Sequence, residues 1–199
     1  MSVTVAKTAG FCFGVRRAVE LAEEQAHEHG SIYAYGEIIH NMHEIERLEK
    51  MGVHTAHTIE EIPDGERVLI RAHGVPRAVY DAFRVKNCEI FDATCPFVHK
   101  IHRIVDEESR AGRLIVILGK EGHPEVEGIR GWCGESVVID GEQAAQTFAD
   151  AFNPADRPVS MVAQTTVNRT IWNISVSILK KRCTNLKIFD TICKATDER

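Results

Sequence analysis

An α/β fold built from tandem parallel-sheet modules is predicted for this 199-residue chain by two observations. Short β-type runs alternate with helical patterns along its length, the order that places helices on the faces of a parallel sheet. In addition, one local unit, an apolar run that turns through a cysteine into a helix-like pattern, recurs at an interval of roughly ninety residues, as expected of repeated modules.

The strand runs fall at residues 32–35, 68–71, 89–91, 114–118, 137–139, 159–163 and 186–189. Between the first cysteine and the first strand, Val15, Ala18, Val19, Ala22 and Ala26 trace one helical face that stops at Gly30. Val98, Ile101 and Val105 trace a second that stops at Gly112. Near the end, Val167, Ile171, Ile174 and Ile178 follow the spacing of a buried stripe, and Lys180, Lys181 and Arg182 suit the negative end of the helix dipole. The predicted organisation is a segment 1–12 that reaches a central site, a first module over 13–94, a second over 95–192, and the opening turns of a third over 193–199.

Composition narrows the function classes. With 24 Lys and Arg against 29 Asp and Glu the net charge is −5, so there is no electrostatic footprint for nucleic acid. The first residues are too polar and too short for a signal peptide, and no apolar run has the length of a membrane span, which predicts a cytoplasmic protein. Ten histidines stand against 2 tryptophans and 3 tyrosines. Without a permanent cationic patch, imidazoles are the natural candidates to hold an anionic ligand.

Cys12, Cys95 and Cys193 share the recurring setting: Gly10-Phe11-Cys12-Phe13-Gly14, Phe91-Asp92-Ala93-Thr94-Cys95-Pro96 and Phe189-Asp190-Thr191-Ile192-Cys193-Lys194. Gaps of 83 and 98 residues are far too wide for a zinc-finger or ferredoxin knuckle. One thiolate per module, each at a helix N-terminus that favours the anionic form, points instead to a shared metal cluster. A single cysteine after a strand reads equally well as a small buried hydrophobe; three in one context argue for ligation. Cys88, Cys133 and Cys183 lack that context and read as structural or free thiols.

The loops after strands carry the second signal, because open α/β sheets bind ligands there. His40 with Asn41, His73 beside Gly74, and His123 beside Pro124 occupy equivalent loops, and a fourth offers Gln164, Thr165 and Thr166. Each histidine alone reads as a structural residue, and Asn41 or Thr166 as a helix N-cap. Together, imidazoles and helix N-termini make a diphosphate site. Glu125 is the carboxylate placed for acid–base work, with Glu127 as its competitor.

Seven motifs, Gly-Phe-Cys-Phe-Gly-Val-Arg-Arg-Ala at 10–18, Ile-Ile-His-Asn at 38–41, Ala-His-Gly-Val at 72–75, Phe-Asp-Ala-Thr-Cys-Pro at 91–96, Gly-His-Pro-Glu-Val-Glu-Gly at 122–128, Gln-Thr-Thr at 164–166 and Asp-Thr-Ile-Cys at 190–193, resemble in order those of the 4-hydroxy-3-methylbut-2-enyl diphosphate reductase family. The resemblance implies a 4Fe-4S cluster at the centre of three α/β modules arranged as a pseudo-threefold trefoil, held by Cys12, Cys95 and Cys193 with one iron left open. It implies reductive removal of the substrate hydroxyl as water to give isopentenyl or dimethylallyl diphosphate, the last step of the methylerythritol phosphate route to isoprenoids. By matching positions, His40, His73 and His123 hold the diphosphate, Glu125 is the proton source, Thr165 orients the alcohol, and Asn41 orients the His40 loop. The implied electron donor is a ferredoxin or flavodoxin.

The chain departs from that family after Cys193, where a further module with serine and asparagine groups for the diphosphate is expected and residues 194–199 supply only its first turns. The expectation is a shortened chain with an oxygen-labile cluster open on one side. Two rival readings remain at this point: a zinc hydrolase, disfavoured by the absence of any His-x-x-x-His pair, and a non-catalytic remnant that binds an iron–sulfur cluster or a partner chain.

Overall fold

The fold is described from a computed structural model, which covers residue 4, residues 10–153 and residues 157–197. The chain runs α1 (Phe13–His29), β1 (Ile32–Tyr35), α2 (Met42–Lys50), β2 (Val53–Ala56), β3 (Arg67–Ile70), α3 (Arg77–Val85), β4 (Glu89–Asp92), α4 (Pro96–Arg110), β5 (Leu114–Leu118), α5 (Pro124–Arg130), β6 (Ser136–Ile139), α6 (Glu142–Ala151), β7 (Val159–Ala163), α7 (Arg169–Arg182), β8 (Leu186–Ile188) and α8 (Lys194–Asp197). The strands form two four-stranded sheets, in order β2-β1-β3-β4 and β6-β5-β7-β8, and every pairing is parallel. The α/β prediction therefore holds, and the two sheets repeat one topology.

Both sheets are covered on both faces, as parallel sheets require. Along β3, Leu69 packs with Ala18, Ala22, Ile32 and Leu48, whereas its neighbours Val68 and Ile70 face Val79, Tyr80 and Phe83. Along β5, Leu114, Val116 and Leu118 meet Trp172 and Leu179, whereas Ile115 and Ile117 meet Ile101, Val105 and Ile129. This alternation is the period-two geometry of a strand buried on both sides. Trp132 packs at the margin of both inner clusters, one from each sheet.

Several elements escape the sequence reading. Strand β2 is four residues long with His54 exposed, and α2 buries only Ile45 and Leu48 beneath a charged surface, so neither leaves a strong apolar period. The helices α3, α5 and α6 are likewise short. The stripe predicted for α7 needs correction. Val167 lies ahead of the N-cap Asn168, Ile171 is 37% exposed, and the buried face is Trp172, Ser175 and Leu179. Adjacent apolar stripes one residue apart share the same period, and only packing against β7 and α6 selects between them.

Candidate functional site

Each of the three cysteines stands where a helix begins. Cys12 is the N-cap of α1, Cys95 the N-cap of α4 with Pro96 at its first position, and Cys193 precedes α8. Proline at that position is preformed for a helix start. All three are partly buried free thiols and line one cavity of about 330 Å³.

The backbone fixes them there. The Cys95 N–H donates to Ala72 O at 2.9 Å and the Cys193 N–H to Thr165 O at 2.8 Å, so each of these cysteines is tied to the loop after its neighbouring strand, the one carrying His73 or Thr165. Both turns are closed alike: Asp92 Oδ1 accepts from the Thr94 N–H at 2.8 Å, and Asp190 Oδ1 from the Ile192 N–H at 3.4 Å. Arg17 on α1 donates to the carbonyls of Asp92 and Thr94 at 3.1 and 3.2 Å, which holds the Cys12 helix against the Cys95 turn. Gly14 makes this approach possible, since a Cβ there would lie 2.5 Å from Cys95 Sγ.

Burial pushes the Cys95 thiol above its ordinary pKa; the N–H groups of Phe97 and Val98 oppose this, and Cys193 and Cys12 push it further up. Cys95 is thus within electrostatic reach of both other cysteines. Yet among the described residues no three His, Cys, Asp or Glu side chains converge on a point where one metal ion would sit.

Glu125 lines the same cavity from the first turn of α5 and is 2% exposed. Its Oε1 accepts from the Thr165 N–H at 2.6 Å and its Oε2 from the Thr165 hydroxyl at 2.8 Å. Burial raises its pKa while the two Thr165 bonds lower it, and burial prevails. Glu127 pairs instead with Arg130, away from the cavity lining.

The histidines come together as a triangle. Ring centroids are 4.4 Å apart for His40 and His73, 5.8 Å for His40 and His123, and 5.6 Å for His73 and His123. His123 caps α5, its Nδ1 accepting from the Glu125 N–H at 3.1 Å, so the neutral ring carries its proton on Nε2. His40 Nδ1 lies 3.5 Å from Glu37 Oε2. Burial, followed by His40, His123 and Arg71, lowers His73 to about 3. His123 is lowered too, first by burial and then by His40, Lys120 and Arg71. Asn41 caps α2, accepting from the Glu44 N–H at 3.2 Å, and lines a small cavity with His40 and His73. Thr166 is no cap, since Asn168 begins α7.

Residues 3–199 match the family described as LytB protein. The chain belongs to that family. Among curated relatives of this LytB family member, the 4-hydroxy-3-methylbut-2-enyl diphosphate reductase of Clostridioides difficile is 40% identical over the whole chain, which spans 71% of it, and that of Aquifex aeolicus is 37% identical, with 68% spanned. Two solved structures are similar. The E-1-hydroxy-2-methyl-but-2-enyl-4-diphosphate reductase from Plasmodium falciparum has a TM-score of 0.88 at 28% identity, over 96% of this chain and 60% of that one. A structure of (E)-4-hydroxy-3-methyl-but-2-enyl diphosphate reductase, described as the terminal enzyme of the non-mevalonate pathway, gives 0.85 at 37% identity over 99% of this chain and 70% of that one.

The LytB chain also places side chains at the site that sequence reasoning passed over. Arg17 and Gly14 stand inside the first motif, but their contacts to the Cys95 turn span more than seventy residues. Arg71 reads as the end of a strand, yet it lines a cavity with His40 and His73. No helix among the described residues is long and apolar enough to cross a membrane.

Proposed function

We propose that this LytB family member is an iron–sulfur oxidoreductase that converts 4-hydroxy-3-methylbut-2-enyl diphosphate to isopentenyl and dimethylallyl diphosphate. The observation that carries the reading is the meeting of three thiols, a buried carboxyl and a hydroxyl around one cavity, with the imidazole triangle sharing His73 with its wall.

The donor set fits a polynuclear centre. Three cysteines line one cavity of about 330 Å³, and an all-thiolate donor set of this kind suits an iron–sulfur cluster. Cys12, Cys95 and Cys193 would hold it. A 4Fe-4S cluster with one iron free of protein ligands supplies electrons and a Lewis-acid position for the substrate oxygen.

The protein's own groups do the rest. His40, His73 and His123 bind the diphosphate through ring N–H groups and set the distance between that end and the cavity. Asn41 holds the start of α2 behind His40. Thr165 orients the alcohol end and fixes the Glu125 carboxyl through both of its oxygens. Glu125, whose pKa burial raises above the ordinary carboxylate value, is the group placed to deliver a proton where the hydroxyl must leave. The balance is two electrons and two protons: one proton departs with the hydroxyl as water, and the other ends on carbon at either allylic end. A ferredoxin or flavodoxin is the proposed electron source.

The test is iron and acid-labile sulfide per chain after anaerobic reconstitution. About four of each supports the cluster; zinc alone, or little metal, overturns it.

A further inference from the structure

We infer that Arg71 supplies the fixed positive charge of the phosphate-binding pocket, an inference that rests on the diphosphate reading above. Arg71 follows β3 at the carboxyl edge of the first sheet. There the strand order reverses, because the chain leaves β1 toward β2 on one side and β3 toward β4 on the other. Crevices of this kind are where open α/β sheets bind ligands. A cavity of about 230 Å³ lies at that edge, lined by Arg71, His40, His57, His73, Glu37 and Gly36.

The guanidinium is held in place deliberately. Gly36 has φ +74°, a backbone conformation that favours glycine, and the Arg71 guanidinium lies directly against it, in the space a Cβ would occupy. Arg71 Nε reaches the Gly74 carbonyl at 3.5 Å, its one hydrogen-bond partner among the described residues. None of their carboxylates forms an ion pair with Arg71; the acid that lines the cavity, Glu37, lies against His40. Glu37 attracts the guanidinium only from beyond ion-pair distance, and a half-buried cation without a contact ion pair costs free energy that a bound anion returns. Its neighbour His73 is neutral near pH 7 and can donate a hydrogen bond but no charge. A guanidinium offers both, in a fork that matches phosphate oxygens.

The test is calorimetric binding of inorganic pyrophosphate to the full chain and to Arg71→Gln, Arg71→Lys and His73→Gln, with melting curves for each. Arg71→Gln is expected to weaken binding roughly 10- to 100-fold, with Arg71→Lys restoring part of it. The unaltered chain should retain affinity from about pH 6 to about pH 8, through the imidazole range. Unchanged binding in Arg71→Gln alongside loss in His73→Gln overturns this inference and leaves the diphosphate reading standing. If Arg71→Gln does not fold, the pH profile of the unaltered chain decides: affinity that vanishes across the imidazole range assigns the charge to histidine and overturns the role of Arg71. Failure of the unaltered chain to bind pyrophosphate at any pH overturns the diphosphate reading and this inference together.

Discussion

Glu125 is the residue where burial and hydrogen bonding oppose each other most directly. A carboxyl 2% exposed is costly to ionise, and the two bonds from Thr165 reduce that cost without removing it. Glu125→Gln keeps the shape and has no proton to give. It should lower turnover by at least about 100-fold while leaving iron content and pyrophosphate affinity unchanged, as measured by single-turnover kinetics and calorimetry; wild-type turnover would remove Glu125 from the chemistry. At this scale the sequence exposed residues whose type and loop position were unusual, namely the three cysteines, three histidines and Glu125. Arg71 stayed hidden because a basic residue closing a strand looks like a solvated end. Its side chain lies against Gly36, 35 positions earlier, which only the β1–β3 pairing brings beneath it.

The element that ties the site together is α4. It begins at Cys95, and one turn on His99 lies 3.1 Å from Asp92. Burial works against the Asp92 carboxylate, but hydrogen bonds from His99, Thr94 and Tyr80 outweigh it and hold the group well below the usual range. A further turn along, His102 is 1% exposed, stacks on Trp132 at 5.2 Å and sits under Gly74, whose Cβ would lie 2.6 Å from its ring. Neither of its ring nitrogens has a hydrogen-bond partner among the described residues. Burial, then His99, lowers it to about 3, with Asp92 opposing. Because the folded state binds this proton less readily than the unfolded chain, its contribution is complete above about pH 6.5 and declines as pH falls toward 3, by about 1.4 kcal/mol per pH unit. His102→Phe preserves the stack and removes both nitrogens. Denaturant unfolding should therefore fall less steeply with acid in that variant; an unchanged slope would show that His102 does not titrate with folding. The α4 stripe was legible from Val98, Ile101 and Val105, but His102 belongs to the same buried face, and periodicity cannot say what a buried imidazole touches.

At the scale of the whole molecule, two sheets of one topology each present their carboxyl edge to the same region, so the loops after β3, β4, β5, β7 and β8 meet at the cavity. That arrangement depends on the sheets staying covered on both faces. Ile117 on β5 is fully buried against Ile101, Val105 and Ile129. Ile117→Ala should cost about 2–5 kcal/mol, read by denaturant unfolding, and should reduce iron incorporation in proportion to the unfolded fraction. A variant with native stability would show that the inner cluster relaxes around the gap.

The sequence by itself determined the fold class, seven of the eight strand positions, the three recurring cysteines and the loops that carry histidines, because each leaves a local trace: a period, a turn residue or a repeated motif. Only the tertiary structure decided which face α7 buries, that the imidazoles lie within 6 Å of one another, that Arg17 contacts the Cys95 turn, and that Arg71 lines a cavity with His40 and His73. Those facts rest on strand order and helix phase. Both are set by packing between segments far apart in the chain, and local periodicity carries no record of them.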